Sequence, residues 1–260
     1  MSNATRPASV GLPKEMQEHH YSLVYEEEEK HWWYVGRRRI LDTFVRALRP
    51  KLSTNPPRIL DVGCGTGANL NMLSNYGDGE GVDVSTQALN YCRERGLQNV
   101  KYGTAEELPF ADASFDLVTA LDVVEHLDDD LAGLREIRRV LKPGGFALLT
   151  VPAFMFLWGV QDDVSNHRRR YTMPQLKRVV TEAGFSIERA TYANIMFFLP
   201  VLAVRTFMRL FGLRAQAEYA INVPVLNNFF AWLFALERFW LKRWSLPFGV
   251  SAFCVARRVE

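Results

Sequence analysis

The sequence predicts an α/β protein with a doubly wound, seven-stranded and mostly parallel sheet and a helical insertion before the last strand. Short apolar runs of strand length alternate with helical segments over residues 58–192, which is typical of βαβ units. The first run ends in glycines at alternate positions, Gly63, Gly65 and Gly67. Such a turn lets a ligand lie directly on backbone N–H groups at a helix N-terminus.

The core elements follow from apolar runs bounded by turn residues, with Asn55-Pro56-Pro57 breaking the chain before the first strand. A turn is expected at Lys142–Gly145, before the fifth strand. Helices are predicted at residues 67–75, 86–95, 131–140 and 173–183, and strands at residues 58–62, 79–84, 100–103, 115–120, 146–151, 185–192 and 251–257.

The N-terminal segment, residues 1–54, is predicted to be a helical extension, either a lid over the ligand site or a helix packed on the edge of the sheet. Residues up to about Met16 are expected to be disordered, and residues 15–49 are expected to be helical. The acidic run 26–29 is interpreted as a solvated face. Three adjacent aromatic residues, Trp32, Trp33 and Tyr34, cannot share one helix face. At least one of them therefore faces something other than the core.

Two acidic residues suggest which ligand the glycine turn binds. Asp61 lies two residues before the first glycine, where a carboxylate would repel a pyrophosphate and attract a cationic group. Asp83 ends the second strand about twenty residues further on, which is the spacing expected for a carboxylate on ribose hydroxyls. The residues Gly63, Gly65 and Ala68 also satisfy the dinucleotide pattern, so Asp61 is the feature that favours a cationic ligand.

Together with the loop 103–110 and the strand and loop 114–127, these motifs resemble the class I methyltransferases that use S-adenosylmethionine (SAM), in particular the type 11 group. The resemblance covers residues 58–191 and returns at residues 251–259. Thr104 departs from it, because relatives usually carry an aspartate there to bind the adenine amino group. The resemblance implies SAM as cofactor, held by Trp33, Asp61, Gly63, Cys64, Gly65, Gly67, Asp83, Val84, Thr104, Ala105, Glu106, Leu121, Asp122 and Val123.

A general base is needed only if the methyl acceptor carries a proton, and three residues are candidates. His126 follows the fourth strand, and its side chain titrates near neutral pH; it is equally well explained as a helix cap or as part of the SAM site. His167 and Tyr171 lie in a loop after the fifth strand that resembles a loop of the type 11 relatives. In the same loop, Arg168, Arg169 and Arg170 are candidates for binding an acceptor phosphate or carboxylate.

Composition excludes some classes of protein. The 260 residues carry a formal net charge of +2, so no global field points to nucleic acid. The cysteines Cys64, Cys92 and Cys254 form no C-x-x-C pair, which predicts reduced thiols, no metal site and a cytoplasmic protein. No signal peptide is recognisable at the N-terminus.

The long stretch at residues 193–249 departs from the type 11 pattern, in which a short hairpin joins the last two strands. It is rich in aromatic residues and interrupted by charges, so it is not expected to span a membrane. Arg205 with Arg209, and Arg238 with Lys242, would form basic edges of helices lying in a membrane interface. The alternative is a soluble cap or a homodimer surface.

These observations predict a SAM-dependent methyltransferase that acts on a hydrophobic or lipid-linked small molecule, on oxygen, and releases S-adenosylhomocysteine. Peripheral membrane association would accompany that activity. The alternatives are a soluble sugar or secondary-metabolite methyltransferase with the insertion as a dimer interface, and a protein that binds SAM without turnover. The predicted segments are the extension 1–54, the SAM-binding core 55–192, the insertion 193–249 and the last strand 250–260.

Overall fold

A computed structural model describes residues 18–211 and 224–259, so the predicted disorder before Met16 lies outside the described part of the chain. The predicted seven-stranded doubly wound sheet is confirmed, with strand order β3-β2-β1-β4-β5-β7-β6. The last strand pairs antiparallel with both of its neighbours, and the other pairs are parallel. The strands are β1 Arg58–Val62, β2 Asp78–Asp83, β3 Val100–Tyr102, β4 Phe115–Leu121, β5 Leu141–Pro152, β6 Phe185–Ala193 and β7 Ser251–Arg258.

Helices cover both faces of the sheet. Successive side chains of the fully buried strand β4 point to opposite faces and so belong to two hydrophobic cores. Val118 and Ala120 pack with the helices Asp130–Val140 and Met173–Glu182, whereas Leu117 and Leu121 pack with the helices Trp32–Leu48 and Pro224–Ala235. The helices are α1 Glu18–Glu27, α2 Trp32–Leu48, α3 Ala68–Leu73, α4 Thr86–Glu94, α5 Asp130–Val140, α6 Val160–Val164, α7 Met173–Glu182, α8 Phe198–Leu210, α9 Pro224–Ala235 and α10 Glu237–Leu241.

The N-terminal segment forms two helices instead of the single predicted one. Between them, the buried Glu28 carboxylate accepts a hydrogen bond from the Thr66 hydroxyl and pairs with Arg95 at 2.7 Å. His31 begins α2 by accepting a hydrogen bond from the backbone N–H of Trp33 at 3.3 Å. The interpretation of residues 26–29 as a solvated face is therefore wrong for Glu28, which ties the segment to the loop after β1.

Strand β5 begins five residues earlier than predicted, at Leu141 rather than at Phe146. Leu141 pairs with Phe115, and the register then shifts before Phe146 pairs with Leu117. Gly144 adopts a φ of +79° within this stretch, which a residue with a side chain would adopt only with strain. The predicted turn is thus an irregularity inside the strand.

The insertion packs on the core through α9 and α10. Phe234 of α9 lies against α2 at Gly36, where an added Cβ would approach the Phe234 ring to 2.7 Å. The buried carboxylate of Glu237 accepts hydrogen bonds from the backbone N–H groups of Asn194 at 2.6 Å and Met196 at 3.2 Å. Burial raises the pKa of Glu237. These contacts pack the insertion on α2 and join its start, at Asn194 and Met196, to Glu237 near its end.

Helix α8 does not present the predicted basic edge. Arg205 is buried and donates to the carbonyl of Leu157, with Asp162 at 3.8 Å. Arg209 donates to the carbonyls of Phe156 and Trp158 at 2.6 and 2.7 Å. Both guanidinium groups therefore donate to backbone carbonyls of the loop after β5 instead of forming a basic edge.

Among the described residues, no helix is long and apolar enough to cross a membrane. The division of the chain into four functional segments stays a prediction.

Candidate functional site

A cavity of about 690 Å³ lies at the carboxyl ends of β1, β2 and β4, where ligands bind in open α/β sheets. The strand ends and their loops form its floor, α1 and α2 form one wall, and α8 with Phe230 of α9 forms another. The cavity thus lies between the core, the N-terminal helices and the insertion.

The glycine turn between β1 and α3 has the backbone that the sequence predicts. Gly63, Gly65 and Gly67 have φ values of +66°, +53° and +93°. A Cβ on Gly63 would meet a methyl group of Val123 at 2.5 Å, whereas a Cβ on Gly65 would enter open space. Gly63 and Gly65 line the cavity, so ligand atoms can approach the backbone there.

Asp83 connects the end of β2 to the glycine turn. Its carboxylate accepts hydrogen bonds from the backbone N–H groups of Gly65 and Ser85, each at 2.9 Å. The side chain lines the cavity although it is largely buried. It is therefore held in place before any ligand binds.

Asp61 is buried beneath the turn and accepts a hydrogen bond from the Thr119 hydroxyl at 2.5 Å. Burial raises its pKa to about 7, although that hydrogen bond and the charge of Arg37 act in the opposite direction. The Asp61 side chain is absent from the residues that form the cavity wall. The Asp61 carboxyl therefore lies behind the glycine turn and does not form part of the cavity wall.

Most of the other predicted cofactor residues lie at the cavity, but three of them do not. Cys64 points away, with its Sγ 4.0 Å from that of Cys92. Gly67 lies behind the turn, where a Cβ would meet Leu97 and Cys92, and Thr104 forms an isolated bridge with Glu107. The predicted residues that line the cavity, besides Gly63, Gly65 and Asp83, are Trp33, Val84, Ala105, Glu106, Leu121, Asp122 and Val123.

Arg37 is a cavity residue that the sequence analysis did not single out. Its guanidinium pairs with Asp122 at 2.9 Å, donates to the Thr150 hydroxyl at 2.6 Å and lies 5.0 Å from the centre of the Trp33 ring. Asp122 has a φ of +59°, which is uncommon for a residue other than glycine. Arg37 thus fixes the carboxylate at the end of β4. Its contacts are distant in sequence, so no local pattern indicates them.

Two of the three candidate bases lie at the cavity. The rings of His126 and His167 are 4.7 Å apart and nearly perpendicular. Burial and the neighbouring His167 and Arg168 lower the pKa of His126 to about 3. Tyr171 donates to Asp130 at 2.7 Å instead and lies away from the cavity. Burial and the Asp130 charge raise its pKa, so the structure does not support Tyr171 as a base.

Asp162 orients His167. Its carboxylate lies 2.8 Å from Nδ1 of His167 and 2.7 Å from Nε of Arg170, and it also accepts from the backbone N–H of Gly159. Burial alone would raise the pKa of Asp162, but the His167 hydrogen bond and the Arg170 charge outweigh it and hold that pKa below its usual range. Asp162 is not among the site residues predicted from the sequence.

The three predicted acceptor-binding arginines are used within the protein. Arg168 pairs with Asp128 at 2.8 Å, and Arg169 donates to the carbonyls of Leu127 and Asp128 and pairs with Asp130. Of the three, Arg170 alone lines the cavity, and it is buried against Asp162. Arg168 and Arg169 bind the loop before α5, so the structure does not support their predicted contact with an acceptor.

Glu125 is a further cavity residue that the sequence analysis missed. It follows β4 in a short 3-10 turn and is fully buried. Neither of its carboxylate oxygens has a hydrogen-bond partner. Burial and the charge of Asp122 raise its pKa well above the usual value.

The wall formed by the insertion is largely apolar. Phe197 packs on Trp32 with ring centres 4.4 Å apart and lies 6.0 Å from Phe230. The aromatic residues of α2 and of the insertion therefore meet over the cavity. Helix α8 and its flanks contribute Phe197, Pro200, Val201, Val204, Arg205 and Met208 to the lining.

Comparison with known proteins places these features in a family. The family described as "Methyltransferase domain" matches residues 60–149. The chain is similar to YcgJ, an uncharacterised methyltransferase of Bacillus subtilis, with 35% identity over 66% of this chain and 71% of that protein. It is also similar to a fatty-acid O-methyltransferase of Mycolicibacterium smegmatis, with 32% identity over 48% of this chain and 43% of that protein.

A solved structure shows the same fold. Phosphoethanolamine N-methyltransferase 2 of Haemonchus contortus, in complex with SAM, superposes with a TM-score of 0.54 and 20% identity. The match covers 84% of this chain and 52% of that chain.

The raised pKa of Asp61 predicts a pH-dependent stability. A carboxyl whose folded-state pKa exceeds its unfolded value stabilises the fold below about pH 4 and loses that contribution as the pH rises towards 7. Asp61→Asn keeps an acceptor for Thr119 and removes the charge. The variant should therefore gain stability over the parent with rising pH, reaching about 2–4 kcal/mol at pH 8.

Urea unfolding of both ligand-free proteins at pH 5, 6, 7 and 8 measures this difference. Asp78→Asn, at an exposed position of β2, is the control. A difference between Asp61→Asn and the parent that stays constant over this range would contradict the assignment.

Proposed function

Because the chain belongs to the class I SAM-dependent methyltransferases, we propose that it methylates an apolar or lipid-linked small molecule on oxygen. The observation that carries this proposal is the two-sided cavity. Its floor holds the glycine turn and Asp83, and its outer wall is built from apolar side chains of the insertion. A polar cofactor and an apolar acceptor can therefore share this cavity.

The floor of the cavity fits SAM. The open space at Gly65 leaves the backbone accessible to the methionine part, and the pre-positioned Asp83 carboxylate suits ribose hydroxyls. Ala105, Glu106 and Val84 would surround the adenine. The positive charge of SAM would favour the ionised form of Asp61 behind the turn. Bound SAM supplies an electrophilic methyl group on a sulfonium, which leaves S-adenosylhomocysteine as the product.

The N-terminal helices would exclude water from the reaction. Trp33 and Tyr34 line the cavity, and α1 is tied to the glycine turn through Glu28 and to α4 through stacking of Tyr25 on Tyr91 at 4.4 Å. An aromatic face near the sulfonium would also stabilise its charge. Enclosure of this kind contributes to transfer reactions that depend on positioning.

The acceptor would lie between α8 and the polar cluster of Glu125, His126 and His167. Val201, Val204 and Met208 offer an apolar surface to it, and the cluster lies at the carboxyl end of β4 where the proton of an acceptor hydroxyl must be removed. The name of the similar fatty-acid O-methyltransferase supports an apolar acceptor. Methyl transfer from a sulfonium needs little beyond orientation and loss of that proton.

We also propose that the insertion rests on a membrane surface that supplies the acceptor. Both of its long helices expose large apolar side chains. Near the end of the insertion, the exposed basic residues Lys242 and Arg243 lie beside exposed aromatic residues. This composition suits a helix in a membrane interface. The exposed large apolar residues in the described part of the insertion are Met196, Leu199, Val204, Phe207, Leu210, Phe211, Leu226, Phe229, Trp232, Phe239, Trp240, Trp244 and Phe248.

The cofactor assignment predicts the effect of a conservative change at Asp83. Asp83→Asn removes the charge that would accept both ribose hydroxyls, so S-adenosylhomocysteine should bind about 1–3 kcal/mol more weakly. Calorimetry on the variant and the parent measures this, with Asp78→Asn on the same strand as the control. Undiminished affinity in Asp83→Asn would contradict the ribose assignment.

The acceptor assignment predicts a selective loss at Val201. Val201→Asn places an amide on the apolar wall and should lower kcat/KM for the acceptor by about tenfold, since one apolar contact contributes about 1–3 kcal/mol. Affinity for S-adenosylhomocysteine should not change. Thr206→Asn, at an exposed position of the same helix, is the control.

The acceptor for this assay comes from lipid and metabolite extracts incubated with SAM labelled on its methyl group. Label in a water-soluble sugar, with full activity in Val201→Asn, would favour a soluble sugar methyltransferase. No labelled product from any extract, with S-adenosylhomocysteine still bound, would favour a SAM-binding protein without turnover.

The membrane assignment predicts flotation with anionic liposomes at low salt and release as salt screens the basic residues. Replacing Trp232 and Trp240 together by serine should abolish flotation while leaving S-adenosylhomocysteine binding unchanged, because both side chains are exposed. Replacing the exposed Tyr102 by serine is the control. A parent protein that stays with the soluble fraction and elutes as a dimer would instead assign the insertion to an oligomer interface.

A further inference from the structure

Three side chains outside the predicted cofactor residues meet at one point of the cavity wall. They are Glu125, His126 and His167, and one potential ligand atom from each lies within 4.8 Å of the others. Glu125 and His126 come from the 3-10 turn after β4, and His167 comes from the loop after α6. One carboxylate and two imidazoles thus converge from two separate segments.

Glu125 has no hydrogen-bond partner in the described part of the protein. Its relative exposure is 0%, and both carboxylate oxygens are unsatisfied. An isolated buried carboxylate is costly, and native proteins usually pair it or bind a metal to it. The nearby arginines are already paired with other carboxylates, Arg37 with Asp122, Arg168 with Asp128 and Arg170 with Asp162.

His167 is oriented as a ligand. Asp162 lies 2.8 Å from Nδ1, which directs Nε2 towards Glu125, where the nearest carboxylate oxygen is 3.9 Å away. That separation is too long for a hydrogen bond. A carboxylate on the outer nitrogen of a histidine is the usual second layer of a metal site, because it fixes the ring and raises its basicity.

We propose that Glu125, His126 and His167 bind a divalent transition-metal ion. One carboxylate and two imidazoles suit Mn²⁺, Fe²⁺ or Zn²⁺, and three protein ligands leave positions open towards the cavity. The ion supplies the positive partner that Glu125 lacks. This site replaces the expectation, based on the cysteines alone, that the chain has no metal site.

The ion would bind the acceptor hydroxyl, a role that rests on the proposed function. Metal coordination lowers the pKa of a bound hydroxyl, so the acceptor loses its proton to water. Its oxygen then forms the new bond to the methyl carbon as the methyl–sulfur bond breaks, and the electron pair of that bond remains on sulfur. The structure thus assigns the cluster the task of activating the acceptor.

Binding of Mn²⁺ to the 260-residue chain, first dialysed against a chelator, tests the site. Electron paramagnetic resonance should show a single tightly bound Mn²⁺, and spin-echo modulation should show directly bound nitrogen nuclei. Glu125→Gln and His167→Asn should each weaken binding at least about tenfold. Glu106→Gln, which changes another carboxylate on the cavity wall, should bind Mn²⁺ like the parent.

Absence of Mn²⁺ and Zn²⁺ binding to the parent protein, or bound Mn²⁺ without nitrogen modulation, would overturn the proposal. The parent measurement decides this even if a variant fails to fold. Affinity for S-adenosylhomocysteine is measured in the same samples. If the protein binds this nucleoside and transfers methyl groups without metal, the proposed function stands and only the metal site is rejected.

Discussion

The cost of burying ionised side chains determines how this protein encloses its cavity. A charge removed from water must find an opposite charge or several hydrogen bonds, or it shifts its pKa and becomes neutral. The walls of the cavity meet this demand with pairs such as Arg37 with Asp122 and Arg170 with Asp162. Asp61 and Glu125 are exceptions, and in both cases burial raises the pKa. A cationic ligand would favour the ionised form of both carboxyls, so this end of the sheet suits such a ligand.

The same constraint attaches the two segments that lie outside the sheet. Glu28 holds α1 to Thr66 and Arg95, and Glu237 holds the start of the insertion through backbone N–H groups. Breaking either contact would leave a buried carboxylate unpaired, which is more costly than losing a surface ion pair. Both segments therefore close over the strand ends in fixed positions, and the acceptor space has defined walls.

Local patterns predicted the sheet, the glycine turn and Asp83, because each depends on neighbouring residues and on a spacing that the chain itself displays. Arg37 and Asp162 were not predicted as site residues. Arg37 binds Thr150 and Asp122, which are far along the chain, and Asp162 contacts His167 and Arg170 only because the loop between them is folded. The basic edge of α8 was misassigned for a related reason. Helical spacing places Arg205 and Arg209 on one face, but it does not tell whether that face meets solvent or the carbonyls of residues 156–158.

A crystal structure of the chain with bound S-adenosylhomocysteine tests the central claim most directly. The ribose hydroxyls should lie on the Asp83 carboxylate, the homocysteine should follow the turn from Gly63 to Gly65, and the sulfur should face Glu125, His126 and His167 below the apolar wall of α8. A nucleoside bound elsewhere, or one whose sulfur faces away from the α8 wall, would contradict the assignment of both the cofactor and the acceptor space.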